Sequence, residues 1–96
     1  MALYQVRHTH RADSCPAGQK EMAQSLLNHL SHANAEKHGV KIHADYVLPG
    51  QHTLILVLEA DSPERVTTFA LPFLYAGTIS VQTVSTCEEV VQRGRC

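Results

Sequence analysis

From its second residue the chain alternates: Ala2-Leu3-Tyr4-Gln5-Val6-Arg7-His8-Thr9-His10. Successive side chains of a β-strand point to opposite faces, so residues i and i+2 share one. Tyr4, Val6, His8 and His10 therefore line one side, with Arg7 and Thr9 on the other. An apolar stripe that ends in two imidazoles is an unusual use of a core-facing edge. Cys15-Pro16 follows five residues after His10. Two imidazoles close to a thiol at a helix start suit a metal site or an acid/base pair.

The remaining elements follow from periodicity and punctuation. Asp13-Ser14-Cys15-Pro16 reads as a helix start, with Pro16 suited to the first helical position. Met22, Leu26, Leu30 and Ala33 recur at helical spacing, and Gly39 ends this segment. Ser31-His32-Ala33-Asn34 are weak helix formers, so continuity there is open. Val40 to Leu48 reads as a second strand, with Val40, Ile42, Ala44, Tyr46 and Leu48 on one face. Pro49-Gly50-Gln51-His52 makes a turn. Thr53 to Glu59 is nearly all apolar, which suits a central strand. Ser62-Pro63-Glu64 opens a second helix carrying Val66, Phe69, Ala70 and Phe73, and Pro72 must kink or end it. Thr78 to Val84 is the last strand, and Thr86 to Arg93 has the pattern of a short terminal helix.

The order β-α-β-β-α-β predicts an α+β fold, a ferredoxin-like βαββαβ sandwich with an antiparallel sheet in the order 4-1-3-2. With 96 residues the chain fits a single domain over 1–96, with a short tail from about 85 to 96. Both helices on one face leave the other open, carrying Leu3, Gln5, Arg7, Lys41, His43, Asp45, Val47, Ile55, Val57, Gln82 and Val84. That mixture is too apolar for water and too polar for a core, which predicts a homodimer packed sheet to sheet. Eight Lys and Arg against nine Asp and Glu, with no run of like charge, argue against nucleic acid or an anionic membrane as partner. No apolar stretch approaches the ~20 residues of a spanning helix, and no signal-peptide core is evident. These features, and three widely spaced cysteines, predict a cytoplasmic protein with free or metal-bound thiols.

This layout resembles the dimeric α+β barrel superfamily, which includes muconolactone isomerases, small cofactor-free monooxygenases and uncharacterised families of similar length. Leu71-Pro72-Phe73-Leu74-Tyr75, the strand Thr78–Val84 and then Cys87 are similar to the last third of muconolactone isomerase-type chains. The His8-Thr9-His10 and Cys15-Pro16 elements look more like those of uncharacterised small members. The resemblance implies a pocket on the helix-covered side of the sheet.

Parallel first and third strands would bring His8, His10, Glu59 and Asp61 to one edge. Both helix starts would add Cys15 and Ser62 there. Imidazoles at i and i+2 lie about 7 Å apart at Cα, close enough to reach one ion. With a Cys15 thiolate the ligand set would be His8, His10 and Cys15, suited to zinc or copper and leaving a position for a small-molecule ligand. The competing function is a cofactor-independent isomerase or monooxygenase, in which His8 or His10 moves a proton and Cys15 serves as a nucleophile. Tyr4, Tyr46, Leu58 and Phe69 would wall its apolar pocket. Cys87 falls at the opposite edge, roughly 20 Å or more away at strand rise, and Cys96 lies at the terminus. His29, His32 and His38 read as solvated surface, His43 as a dimer-interface partner of Asp45, and His52 as a surface residue at the far edge.

Overall fold

The structure is a computed structural model that describes residues 2–96. Its strands are β1 (Ala2–His10), β2 (Val40–Leu48), β3 (Thr53–Ala60) and β4 (Gly77–Val84), and its helices α1 (Lys20–His29), α2 (His32–Lys37), α3 (Pro63–Ala70) and α4 (Cys87–Arg93). The four strands form one sheet in the order β2-β3-β1-β4. This is the expected ferredoxin-like order, read from the other edge. The molecule is only 18 Å thick along its shortest axis, against 45 and 30 Å along the others. That thickness admits one sheet and one helical layer. No described helix is long and apolar enough to cross a membrane.

The core lies between these two layers. Val6, Leu56, Leu58, Val66 and Phe69 are its largest fully buried side chains, and Tyr4, Ala35, Val40, Leu54, Ala60, Ala70 and Phe73 complete it. Alternation does the sorting. Tyr4, Val6 and His8 face inward from β1, as do Leu54, Leu56, Leu58 and Ala60 from β3. Burying such aliphatic and aromatic groups, at about 1.5–3 kcal/mol for each large one, supplies the main stabilisation. Ser62 caps α3 by accepting the Arg65 backbone N–H at 3.4 Å, and Pro72 turns the chain into a short 3-10 segment, Leu71–Tyr75.

Three expectations need correction. The first helix does not start at Pro16. Residues Ala12–Ser14 and Pro16–Gly18 form two short 3-10 turns, and the α-helix begins only at Lys20. It also breaks at Leu30 and restarts at His32 with Ser31 as cap, so Ala35 is buried instead of Ala33. In β2, His43 is a bulge: Ile42 pairs with Leu58, but Ala44 already pairs with Val57. One extra residue inverts the alternation beyond it. Asp45 and Val47 therefore join the helix side, opposite Leu56 and Leu54, while Tyr46 pairs with Ile55 on the open face and is 72% exposed.

β4 enters the sheet at Gly77, opposite His10. A Cβ on Gly77 would run into the Thr9 carbonyl and the His10 backbone, so the two strands close here only because this residue has no side chain. Gly77→Ala should destabilise the protein by about 1–3 kcal/mol as the strands are pushed apart. Denaturant unfolding would read this as a shifted midpoint; an unchanged midpoint would show that the pairing beside His10 tolerates separation.

Candidate metal centre

The site begins with a backbone hydrogen bond. β1 and β3 are antiparallel, with His8 opposite Leu54 and Thr9 opposite Thr53. One step further, the His10 N–H donates to the His52 carbonyl at 3.0 Å. His52 ends the β2–β3 turn with φ +48°, a left-handed conformation costly for a residue with a Cβ. Gly50, at φ +77°, makes the preceding bend. Cys15 comes from the other side, in extended conformation between the two 3-10 turns. Its N–H donates to Ala12 O at 3.4 Å, and its carbonyl accepts from Gly18 N–H at 3.2 Å.

These three residues present one ligand atom each, all within 4.8 Å of one another. They line a cavity of about 220 Å³ with His8, Val47, Leu54 and Phe73 among its other walls. Both ring nitrogens of His10 are buried there without a hydrogen-bond partner. An orphaned buried polar group costs about 1–3 kcal/mol, and native proteins seldom leave one without a reason.

His8 has a different position. Its Nδ1–H donates to the Thr78 carbonyl at 3.1 Å, which leaves Nε2 as the lone-pair nitrogen. Its ring stacks on Phe73 at 5.0 Å between centroids and lies 5.2 Å from the His10 ring, which in turn meets His52 edge-on at 5.3 Å. Phe73, His8, His10 and His52 thus form a continuous file of rings. His8 also belongs to the wall of a larger cavity, of about 560 Å³, bounded by α1 and the Pro72–Ala76 segment.

The sequence brought His10 and Cys15 together correctly, but not the acidic residues. Because β1 and β3 are antiparallel, Leu3 and not His10 pairs with Glu59. Glu59, Asp61 and Ser62 therefore lie at the opposite end of the sheet. There Glu59 meets His43 at 3.2 Å, taking the place expected of Asp45. The same direction places His52 beside His10, not at a far edge. Its signal was available as the residue one step beyond the Thr9–Thr53 pair. The later start of α1 removes the helix N-terminus expected to act on Cys15. Cys87 follows Val84, which pairs with Leu3, and so lies away from the cluster; Cys87 and Cys96 are exposed. Tyr4, Leu58 and Phe69 are packed core residues and Tyr46 faces outward, while the two cavities are walled by other side chains.

His29 and His38 are not solvated surface either. The His29 Nε2–H donates to Phe69 O at 2.7 Å, its Nδ1 accepts from the Asn34 amide at 3.3 Å, and its ring stacks on Phe69 at 4.4 Å. The His38 ring packs edge-on against Phe69, 5.4 Å away. His32 remains exposed.

Fold and geometry together define a ferredoxin-like α+β sandwich with a two-histidine, one-cysteine cluster at one end of its sheet. The chain belongs to the DUF3303 family, a domain of unknown function whose family model matches residues 2–95. No curated protein matches the chain, so the likeness of its last third to muconolactone isomerase-type proteins finds no support there.

Burial holds His8 below the ordinary imidazole range, with its bond to Thr78 pulling weakly the other way. Burial, then the neighbouring His8 and His52 rings, holds His10 below it too. The fold thus prefers both rings neutral, whereas the unfolded chain takes up protons near pH 6.5. The sign follows: their contribution to stability is complete above about pH 7 and declines as pH falls from about 6.5 toward the lowered folded values. Metal-free protein should therefore unfold at lower denaturant concentration at pH 5 than at pH 7.5, and His10→Leu should shrink the difference. A midpoint indifferent to pH over this span would contradict the burial of neutral imidazoles.

Proposed function

We propose that this chain is a metal-binding protein whose ligands are His10, Cys15 and His52, with zinc or copper as the ion. The observation that carries the reading is His10, whose two buried nitrogens lack partners while a thiol and a second imidazole stand within 4.8 Å. Two imidazoles and one thiolate are a borderline-soft set suited to these ions. A tetrahedral zinc draws such donors to about 3.4–3.8 Å apart, a contraction within the reach of side-chain rotation. Three protein ligands leave one position for water or a small molecule, where the ion would act as a Lewis acid. His52 replaces His8 in the expected set, because the ligand atoms that converge within 4.8 Å belong to His10, Cys15 and His52 and not to His8. A cytoplasmic location fits the reading, since a reducing compartment keeps Cys15 available as thiolate.

A second reading has one observation in its favour. The Thr78 bond fixes the His8 tautomer and leaves Nε2 free to accept a proton, as a cofactor-independent isomerase or monooxygenase would need. Turnover that survives chelation and is lost in His8→Phe would favour it. In either case the open sheet face, with Leu3, Ile55, Val57 and Tyr46, suits a second copy of the chain. Sedimentation should report a dimer, and Val57→Arg a monomer; a wild-type monomer at micromolar concentration would remove this pairing.

Untagged protein loaded with zinc or copper(I) should bind one ion per chain by elemental analysis. His10→Ala, Cys15→Ala and His52→Gly should each weaken binding by at least about tenfold, while His8→Phe should retain it within a few-fold. His52→Gly is the sharpest variant, because glycine relieves the left-handed backbone and should leave thermal stability unchanged or higher. Sub-stoichiometric metal that ignores all three substitutions would sink the reading.

A further inference from the structure

The larger cavity does not belong to the metal cluster, yet it shares four wall residues with it: His8, Pro16, Leu26 and Phe73. At about 560 Å³ it has the size of a small-molecule site. Its walls constrain what could occupy it. Met22, Leu26, Pro72 and Phe73 make an apolar floor, and Phe73 and His29 offer ring edges and faces for a flat molecule. Among the described residues its lining holds two carboxylates, Asp13 and Glu21, and no lysine or arginine. Arg11 pairs with Asp13 from outside at 3.0 Å, which leaves Glu21 as the uncompensated charge. An anionic ligand would meet repulsion and find no cation to pair with.

Of the two imidazoles in its wall, one has an acceptor to offer. His29 has both nitrogens engaged, by Phe69 O and the Asn34 amide. His8 has one engaged, by Thr78 O. His8 belongs to the cavity lining, and Nε2 takes no part in its bond to Thr78, so that nitrogen keeps its lone pair. A ligand hydroxyl can donate to it.

We propose that the larger cavity is a binding site for an uncharged, hydroxylated ring compound, seated on Phe73 with its hydroxyl on His8 Nε2. The site goes beyond the metal reading and does not depend on it, although the shared His8 wall brings the hydroxyl toward His10, Cys15 and His52.

The test uses full-length, metal-free protein and three probes with the same two-ring frame: 2-naphthol, naphthalene and 2-naphthoate. At pH 7.5, 2-naphthol should bind saturably by fluorescence titration, about tenfold more tightly than naphthalene, while 2-naphthoate should be at least tenfold weaker than 2-naphthol. Ser25→Trp, an exposed position on the cavity wall, should abolish binding without affecting the fold. His8→Phe should bring 2-naphthol down to the level of naphthalene. His52→Gly should bind 2-naphthol like the wild type, which separates failure of the metal centre from failure of this site. No saturable binding of 2-naphthol to millimolar concentration would overturn the proposal. So would equal binding of the naphthoate, or binding that ignores Ser25→Trp. Should His8→Phe fail to fold, the probe series and Ser25→Trp still decide the matter.

Discussion

The antiparallel pairing of β1 with β3 is the constraint on which the arrangement rests, and its last link is the hydrogen bond from His10 N–H to the His52 carbonyl. Strand direction here decides chemistry. A parallel pairing would have set His10 among Glu59 and Asp61, an oxygen-rich neighbourhood suited to hard cations or proton relays. The antiparallel pairing sends those carboxylates to the other end of the sheet and delivers the β2–β3 turn in their place. What surrounds His10 is then imidazole and thiol, a softer donor set.

The core supports this edge through Phe73. That residue packs at the rim of the cluster built on Val6, Leu56 and Phe69, and its ring begins the file that runs through His8 and His10 to His52. The hydrophobic layer therefore orients the imidazoles as well as stabilising the fold. Gly77 lets β4 close against β1 at the same level, and Thr78 offers the carbonyl that sets the His8 tautomer.

Two local penalties meet at one place. His10 keeps two buried nitrogens unpartnered, and His52 holds a left-handed backbone without being glycine. The first costs about 1–3 kcal/mol and the second roughly 1–2 kcal/mol. Neither contributes to packing that an apolar residue or a glycine could not supply. Unfavourable arrangements that persist together point to a function that needs them, and ligation of an ion would satisfy one of the two His10 nitrogens. The cluster and the neighbouring cavity meet at this corner, with His8 as their common wall.

Local pattern carried much of this in the bare sequence. Alternation from Tyr4 to His10 determined that His8 and His10 face the helices, since the two-residue period of a strand is a property of the backbone itself. Ser62-Pro63 and Gly39 marked helix ends by capping rules that act within a few residues. The order of elements determined the order of strands in the sheet. Long-range register was not legible. The His43 bulge turns Tyr46 outward, and no local feature distinguishes it from an ordinary strand residue. His52 became a neighbour of His10, and His29 a partner of the Phe69 carbonyl, only when distant segments packed. Periodicity is local and written in adjacent residues; which ends meet is decided by the pairing of whole strands.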